Sequence, residues 1–228
     1  MRRTEKAEAI FSRLERANPS PKGELDHVNP YTLLVAVVLS AQATDKGVNR
    51  ATANLFKKVT TPQQMLDLGE EGLIAHIKSI GLFRAKARNV IKLSQELIDH
   101  HAGEVPQDRE ALEKLPGVGR KTANVVLNMA FGQPTMAVDT HVFRVSQRLG
   151  LAKGKTPHAI EEQLLKVVPA KFMLHAHHWL ILHGRYTCLA RGPKCAECPL
   201  EDLCTFRGKT KPAAATPRSG KPATRKSK

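Results

Sequence analysis

The helical pattern of this chain breaks at Leu115-Pro116-Gly117-Val118-Gly119-Arg120-Lys121-Thr122-Ala123, where two glycines flank one valine. We expect a short helix beginning after Asp108 before the break and a longer helix ending near Phe131 after it. Glycines permit a sharp turn that brings backbone amides close to a ligand, and a helix N-terminus adds partial positive charge. The stretch is therefore typical of a helical hairpin that holds a phosphate, although an ordinary helix connection can contain the same residues.

Apolar residues recur at helical spacing on both sides of this break, as at Ala7, Ile10, Phe11 and Leu14. Capping side chains precede a proline at Asn29-Pro30, Thr61-Pro62 and Thr156-Pro157. Glycines lie where helices should stop, at Gly69, Gly81 and Gly150. No stretch alternates with the period of two that marks a strand. The pattern predicts an all-α protein of about ten or eleven helices, with apolar buried helices over residues 30–42 and 171–183.

Length and composition are those of a globular protein. The 228 residues are 41% hydrophobic and 25% charged, enough for one large domain or two small ones, which excludes disorder along the whole chain. Aromatic residues make up only 4%, which favours helices over an aromatic-rich β-sandwich. The longest apolar run, residues 33–39, is too short to span a bilayer, and the N-terminus has no secretory signal. We therefore expect a cytoplasmic protein.

The basic charge suggests a polyanionic partner. Lysine and arginine total 36 against 21 acidic residues, which gives a formal net charge of +15. Residues 209–228 contain seven of the basic residues, no acid and three prolines, and we expect them to form a disordered tail. The rest of the chain still carries about +8. Taken alone, this charge fits nucleic-acid binding and a solubilising surface equally well.

Lys121 is a candidate nucleophile in the helix after the break. The apolar stripe of this helix consists of Ala123, Val126, Leu127 and Ala130. At about 100° per residue, Lys121 points away from that stripe, on the side of Asn124 and Asn128. An outward lysine is usually only solvated. An amine nucleophile needs its neutral form, which desolvation or a neighbouring cation such as Arg120 would favour.

Asp139 precedes a helix that should run to Leu149. Its side chain is placed to cap that helix, and a helix N-terminus stabilises a carboxylate. A carboxylate in a cleft can also stabilise a cationic transition state or take a proton from a lysine, so capping and catalysis are compatible. His141, two residues further on, could contact a phosphate, but packing is the more common role.

All four cysteines lie within seventeen residues, at Cys188, Cys195, Cys198 and Cys204. In a cytoplasmic protein this clustering favours a metal centre over disulfides. Zinc sites usually pair two short Cys-x-x-Cys units, whereas one short spacing flanked by longer loops favours an iron-sulfur cluster with four thiolate ligands. The metal could have a structural role only. Arg191 and Lys194, in the loop between the first two cysteines, would be held outward for a phosphate contact.

Three motifs, taken in order and at these separations, resemble the endonuclease III family: the glycine turn, Val138-Asp139-Thr140-His141-Val142 and the 6-2-5 spacing of the cysteines. The family comprises bifunctional DNA glycosylases and abasic-site lyases of the helix-hairpin-helix superfamily. The resemblance covers nearly the whole chain before the basic tail. It implies a six-helix domain at residues 23–133, a cluster domain formed by residues 1–22 and 134–208, and a DNA cleft between them.

The resemblance also implies a mechanism acting on damaged double-stranded DNA. An oxidised pyrimidine such as thymine glycol is flipped out of the duplex, because its sugar carbon cannot be reached inside the stack. Lys121 attacks the sugar C1′ and expels the base, and β-elimination from the resulting Schiff base nicks the strand. Asp139 deprotonates the lysine or stabilises the oxocarbenium-like state. The amides of Gly117 and Gly119, beside Arg120, would hold a backbone phosphate.

A cofactor and a pair of wedge residues follow from the same resemblance. The cofactor is a [4Fe-4S] cluster held by Cys188, Cys195, Cys198 and Cys204. Gln42 and Leu82 match family residues that fill the gap left by the flipped nucleotide. Core packing after a glycine is the alternative role for Leu82. We expect a monomer that has no membrane contact and is associated with the nucleoid through DNA.

Histidines cluster around Trp179, at His175, His177, His178 and His183. They suggest a second metal site, but helical spacing beside four cysteines already assigned to a metal favours hydrogen-bonded roles in the core.

Rival functions remain within and outside the superfamily. Adenine-mismatch glycosylases share the cluster, but they usually carry a serine at the position of Lys121 and add a large C-terminal domain. That branch is therefore disfavoured. A monofunctional glycosylase or a non-catalytic DNA-binding module is the remaining alternative, and intact Lys121 and Asp139 argue against the module.

Overall fold

The computed structural model describes residues 2–210, which fold into ten α-helices and one short 3₁₀ helix. The α-helices are α1 Arg3–Ala17, α2 Pro30–Leu39, α3 Asp45–Thr52, α4 Pro62–Ile77, α5 Phe83–His101, α6 Arg109–Lys114, α7 Arg120–Phe131, α8 Thr140–Leu149, α9 Pro157–Val167 and α10 Ala170–Tyr186. The 3₁₀ helix spans Cys195–Glu197. Over residues 2–210 there is no strand, so the predicted all-α class and helix number are confirmed. Of the predicted tail, residues 211–228 lie outside the described residues.

The predicted helix starts depend on side chains that accept backbone N–H groups. Asn29, Thr61 and Thr156 each cap a helix that begins at the following proline. These starts are confirmed, and the reason is local, because a cap and a proline act within one turn of the helix.

Helix ends follow the glycines less closely. Gly150 ends α8 as expected. Gly69, however, lies inside α4 with a φ of +72° and kinks the helix instead of ending it. The helix resumes because Leu73 and Ile77 beyond the kink are buried in the core. Gly81 lies in the turn after α4 rather than at its end.

Both predicted apolar helices are present, with shifted ends. α2 is buried from Tyr31 to Leu39 but stops before residue 42. The hydroxyl of Ser40 donates to the carbonyl of Val37 at 2.8 Å, and Gln42 then takes a left-handed conformation with a φ of +54°. α10 continues past the predicted end at 183, as far as Tyr186.

Two hydrophobic cores organise the described residues. The first is built from α2 to α7, with the apolar face of α2 packed against α5 and α7. The second combines α1 with α8, α9 and α10 and includes Leu200. Trp179 of α10 packs against Phe11 and Phe172 in this core, and its indole donates to the carbonyl of Asn18 at 2.8 Å. Burial of these aromatic side chains joins the N-terminal helix to the C-terminal half of the chain.

A small apolar cluster and a polar seam connect the two cores. Leu33, Val37, Val125 and Ala137 form the apolar cluster. Asn124 and Asn128 of α7, expected on the outward side, are both buried. Asn124 donates to the carbonyl of Met136 at 3.2 Å, and Asn128 donates to that of Leu174 at 3.1 Å. The polar side of α7 therefore faces the second core along part of its length.

Candidate active site

The turn before α7 shows why its first glycine cannot be another residue without strain. Asp108 caps α6, and the amide of Val118 donates to the carbonyl of Leu115 at 3.0 Å, which closes the turn. Gly117 has a φ of +80°, and a Cβ there would lie 2.9 Å from Nδ2 of Asn89. Gly119 then begins α7 as its N-cap.

The side chain of Lys121 lines a pocket between the two cores. It is exposed at the second position of α7, and Asp139 contributes to the same pocket from the start of α8. Asp139 caps α8 as predicted, accepting from the amide of Val142 at 2.8 Å. The pocket is completed by α2, the loop before it, α3 and α10. The two candidate catalytic residues are thus brought together from separate cores.

Asp45 and Arg185 are pocket residues that the sequence did not single out. Arg185, in the last turn of α10, forms an ion pair with Asp45 at 2.6 Å and another with Glu24. Burial raises the pKa of the Asp45 carboxyl, and the ammonium of Lys121 partly offsets this effect. An aspartate in the first turn of α3 resembles an ordinary helix-start residue, which is why its signal was missed.

Arg120, which was expected beside Lys121 and a DNA phosphate, forms an ion pair with Glu161. Its Nε and Nη2 donate to the two carboxylate oxygens of Glu161 on α9, at 2.8 and 3.0 Å. Its Nη1 lies 4.0 Å from Glu113, and Nδ2 of Asn124 also reaches Glu161, at 3.1 Å. Glu161 is buried, and its hydrogen bond with Arg120 raises the pKa of the guanidinium. The charge of Arg120 is therefore largely compensated by Glu161.

The two wedge candidates have exposed side chains on left-handed backbones. Gln42 has a φ of +54°, and Leu82 has a φ of +58° with 61% of its surface exposed. The alternative of core packing for Leu82 is therefore wrong. Left-handed conformations are costly for residues other than glycine and are concentrated at functional sites. The backbone geometry thus sets these two residues apart from the rest of the described chain, where Ala102 alone shares it outside glycine.

His141 lies at the contact between α8 and α10. Its Nδ1 is 3.2 Å from Nη2 of Arg144. Arg144 also donates to the carbonyls of Gly184 and Cys188, at 2.8 and 3.1 Å. The half-buried imidazole therefore has a packing role of the kind expected for it, and a phosphate contact stays a prediction.

The histidines of α10 differ from the sequence expectation. His177 and His178 are 1% and 8% exposed and line the pocket with Lys121. Nδ1 of His177 and both ring nitrogens of His178 have no hydrogen-bond partner among the described residues, so the predicted hydrogen-bonded role is wrong for these atoms. His183 contacts the thiol of Cys198 at 3.7 Å, and His175 packs on Trp179. Burial lowers the pKa of His178 and of His183 to about 4.

All four cysteine side chains line one second pocket, beside His183. Within residues 2–210, no group of three or more His, Cys, Asp or Glu side chains is arranged to hold a single metal ion. The four thiols therefore share one space. Nη1 of Arg148 approaches Sγ of Cys188 at 3.5 Å, and the same side chain donates to the carbonyls of Leu189 and Ala190. Burial, together with the other three thiols, raises the pKa of Cys198.

The loop between the first two cysteines presents its cations outward. Arg191 and Lys194 are exposed, and the amide of Lys194 donates to the carbonyl of Thr187 at 2.9 Å. At the start of the predicted tail, Lys209 forms an ion pair with Glu201 at 2.7 Å, and the hydroxyl of Thr210 donates to the carbonyl of Pro193. None of the helices in the described part of the chain is long and apolar enough to cross a membrane.

Comparisons with known proteins agree with this geometry. Residues 35–170 match the HhH-GPD superfamily, described as base excision DNA repair proteins. The chain is 59% identical to endonuclease III of Haemophilus influenzae over 209 residues, covering 92% of this chain and 99% of that protein. It is 61% identical to endonuclease III of Treponema pallidum over 196 residues, covering 86% and 93%.

Solved structures give the same result. A trapped covalent intermediate of endonuclease III with DNA superimposes with a TM-score of 0.84 at 48% identity, covering 90% of this chain and 97% of that one. A thermostable thymine-DNA glycosylase superimposes with a TM-score of 0.77 at 25% identity, covering 89% and 96%.

Proposed function

The chain belongs to the endonuclease III family of the HhH-GPD superfamily, and we propose on this basis that it removes oxidised pyrimidines from damaged duplex DNA and nicks the abasic sites that result. It is a DNA glycosylase and abasic-site lyase of base excision repair. Its substrate places it at the chromosomal DNA. We propose a six-helix domain and a cluster domain, supported by the two hydrophobic cores, with the DNA bound in the cleft between them.

One observation carries the assignment of the site: Lys121 and Asp139 enter one pocket from helices of different cores. A pyrimidine inside a duplex shields its sugar C1′, so the nucleotide must rotate out of the stack to meet an amine. A pocket with Lys121 at its wall suits an extruded nucleotide. The capping geometry holds the Asp139 carboxylate in place on a rigid helix start.

The chemistry proceeds in two stages. Asp139 accepts a proton from Lys121, whose Nζ then forms a bond to C1′ as the bond between C1′ and the base breaks. The base leaves with that electron pair and takes up a proton, and the sugar opens to a Schiff base. Loss of a proton from C2′ then expels the 3′ phosphate, which nicks the strand, and water releases Lys121.

Other residues hold the duplex. The amides of Gly117 and Gly119 bind a backbone phosphate at the start of α7, where the helix dipole favours an anion. Gln42 and Leu82 occupy the space that the extruded nucleotide leaves. Arg191 and Lys194 contact phosphates from the cysteine loop.

The four cysteines are proposed to hold a [4Fe-4S] cluster. Four thiols line one space, and their sequence spacing, one short interval flanked by longer loops, suits a cluster better than zinc. A cluster with four thiolates is net negative, and Arg148 beside Cys188 supplies a compensating charge. When bound, the cluster supplies a one-electron redox centre. The cysteines themselves fix the loop that presents Arg191 and Lys194.

Borohydride trapping tests this function. A duplex containing thymine glycol is incubated with the protein, with Lys121→Gln and with Lys155→Gln, an exposed lysine before α9 as control. A covalent protein–DNA adduct is expected with the unchanged protein and with the control but not with Lys121→Gln. Binding of the duplex without any adduct would contradict the Schiff base and leave a monofunctional glycosylase or a binding module.

A further inference from the structure

Two adjacent histidines of α10 are buried without partners. His177 is 1% exposed and His178 is 8% exposed. Nδ1 of His177 and both ring nitrogens of His178 have no hydrogen-bond partner among residues 2–210. Buried polar atoms in folded proteins almost always have a partner, and an exception points to a missing ligand or water. Three such atoms side by side therefore call for an explanation.

Both histidines belong to the wall of the Lys121 pocket. Their ring centroids lie 3.9 Å apart, so they present one continuous surface. Apolar side chains surround them, from Val37, Val125, Met129, Ile181 and Leu182. An apolar wall with a few convergent polar atoms is the usual composition of a pocket that recognises a small ring. The two histidines, together with Ser40, are its uncharged polar part.

The two imidazoles are neutral at physiological pH. Burial lowers the pKa of His178 to about 4. Burial lowers the pKa of His177 as well, and the neighbouring His178 and Lys121 add to the effect. A neutral imidazole carries one donor and one acceptor, and the two can exchange places by a change of tautomer.

We propose that His177 and His178 bind the hydrogen-bonding edge of the extruded pyrimidine and thereby allow both thymine-derived and cytosine-derived oxidised bases to be excised. The proposal rests on the glycosylase function proposed above. A thymine- or uracil-derived base presents an N–H between two carbonyls, whereas a cytosine-derived base presents an acceptor nitrogen beside an amino group. Because neutral imidazoles can exchange donor and acceptor, one wall satisfies both patterns.

The test compares a substrate that has a base with one that does not. Single-turnover rate constants are measured on duplexes containing thymine glycol, 5-hydroxycytosine or a preformed abasic site. The variants are His177→Leu, His178→Leu and His178→Asn. We expect each leucine variant to excise both bases about tenfold more slowly, the effect of one lost hydrogen bond. Cleavage at the abasic site should stay within about twofold, because that substrate lacks the group that the histidines bind.

Two further measurements show whether the histidines recognise the base or only support the site: rescue by asparagine and the thermal stability of the leucine variants. His178→Asn keeps a donor and an acceptor, so it should retain more excision than His178→Leu. Leucine removes unpartnered polar atoms from an apolar wall, so thermal unfolding of the leucine variants should occur at an equal or higher temperature. His175→Gln serves as the control, since His175 lies on the same helix but packs on Trp179 outside the pocket.

Two results would overturn the proposal. Equal losses on the abasic and base-containing duplexes would show that the histidines only support the site. Unchanged excision of both bases by both leucine variants would show that water alone pairs with their nitrogens. If the unchanged protein fails to cleave the abasic duplex, the lyase function itself is wrong, and this outcome is separate from either of the others.

Discussion

Gly117 and Gly119 lie two residues apart in the turn before α7, yet their backbones differ. Gly117 is left-handed, with a φ of +80°, and Asn89 packs against the position that a Cβ would occupy. Gly119 has an extended backbone with a φ of −103° and nothing within 4 Å of such a Cβ. The turn therefore requires glycine for its conformation at the first position, whereas the described structure leaves room for a side chain at the second.

Gly117→Ala should lower the free energy of unfolding by about 1–2 kcal/mol, because an L-residue is strained in the left-handed region. It should also weaken DNA binding, because the turn that aims the amides shifts. Urea denaturation and binding to an abasic-site duplex measure the two effects. Gly119→Ala is the matched comparison and should lose at most about 0.5 kcal/mol. Equal losses at the two positions would contradict the strain argument.

His178 should make the protein sensitive to acid. Its pKa is about 4 in the folded protein and about 6.5 when unfolded, so below pH 6.5 the unfolded chain takes up a proton that the folded chain refuses. Stability from this residue is complete above pH 6.5 and declines until pH 4. Between pH 7 and pH 5 the loss is about 2 kcal/mol.

Chemical denaturation of the unchanged protein and of His178→Leu at these two pH values measures that loss. The variant should lose about 2 kcal/mol less than the unchanged protein. His158→Gln, a change at an exposed histidine, should leave the difference between the two pH values unaltered. An identical pH dependence in His178→Leu and the unchanged protein would rule out the acid effect.

Helices α7 and α9 are joined by the ion pair of Arg120 and Glu161. Arg120 directly precedes Lys121, so this contact ties the start of α7 to the core that carries Asp139. The carboxylate of Glu161 is 5% exposed and the guanidinium 34%, so the pair is only partly screened by water. The separation of Lys121 and Asp139 depends on contacts of this kind.

Glu161→Gln should lower the free energy of unfolding by about 1–3 kcal/mol, because it leaves a half-buried guanidinium with a weaker partner. The rate of abasic-site cleavage should fall as well, since α7 is no longer held against α9. Thermal unfolding and single-turnover cleavage are the measurements. Glu162→Gln, on the exposed side of α9, should change stability by no more than about 0.5 kcal/mol. A stable Glu161→Gln with full activity would refute this role.

Local signals predicted the elements well. Caps, prolines and the hairpin glycines act within a turn, so Asn29, Asp108 and Asp139 could be assigned from their neighbours alone. The prediction that a helix ends at Gly69 was wrong. Helix α4 continues because residues beyond Gly69 are buried, and this burial depends on the whole core. The ion pair of Arg120 could not be predicted for a similar reason, because its partner lies 41 residues away.

At the scale of the whole molecule, the set of residues that line the pocket could not be predicted from the sequence. Lys121 and Asp139 stood out through their motifs. Asp45, Arg185 and the histidine pair come from helices that only the tertiary fold places beside them. A histidine in an apolar helix carries the same signal whether it packs or recognises a ligand. Chemistry that depends on such convergence is determined by the tertiary fold.

Removing the charges of Arg191 and Lys194 measures the electrostatic contribution of the cysteine loop to DNA binding. Replacing both with alanine should reduce the slope of log affinity against log salt by about 2, since each phosphate contact releases roughly one counterion. Fluorescence anisotropy with an abasic-site duplex over a salt series measures the slope. Lys155→Ala, away from the loop, should leave it unchanged. An unaltered slope in the double variant would remove the loop from the DNA interface.

The two cores also differ in when they can form. Helices α2 to α7 follow one another along the chain, so the first core can close as soon as α7 has left the ribosome. The second core needs α1, which is made before α2 to α7, together with α8 to α10, which are made after them. The apolar face of α1, with Ile10 and Phe11, therefore stays uncovered until α8 to α10 have been made. Helix α1 is thus made before the helices of the first core and packed only after them, and during that interval its apolar face is open to chaperones.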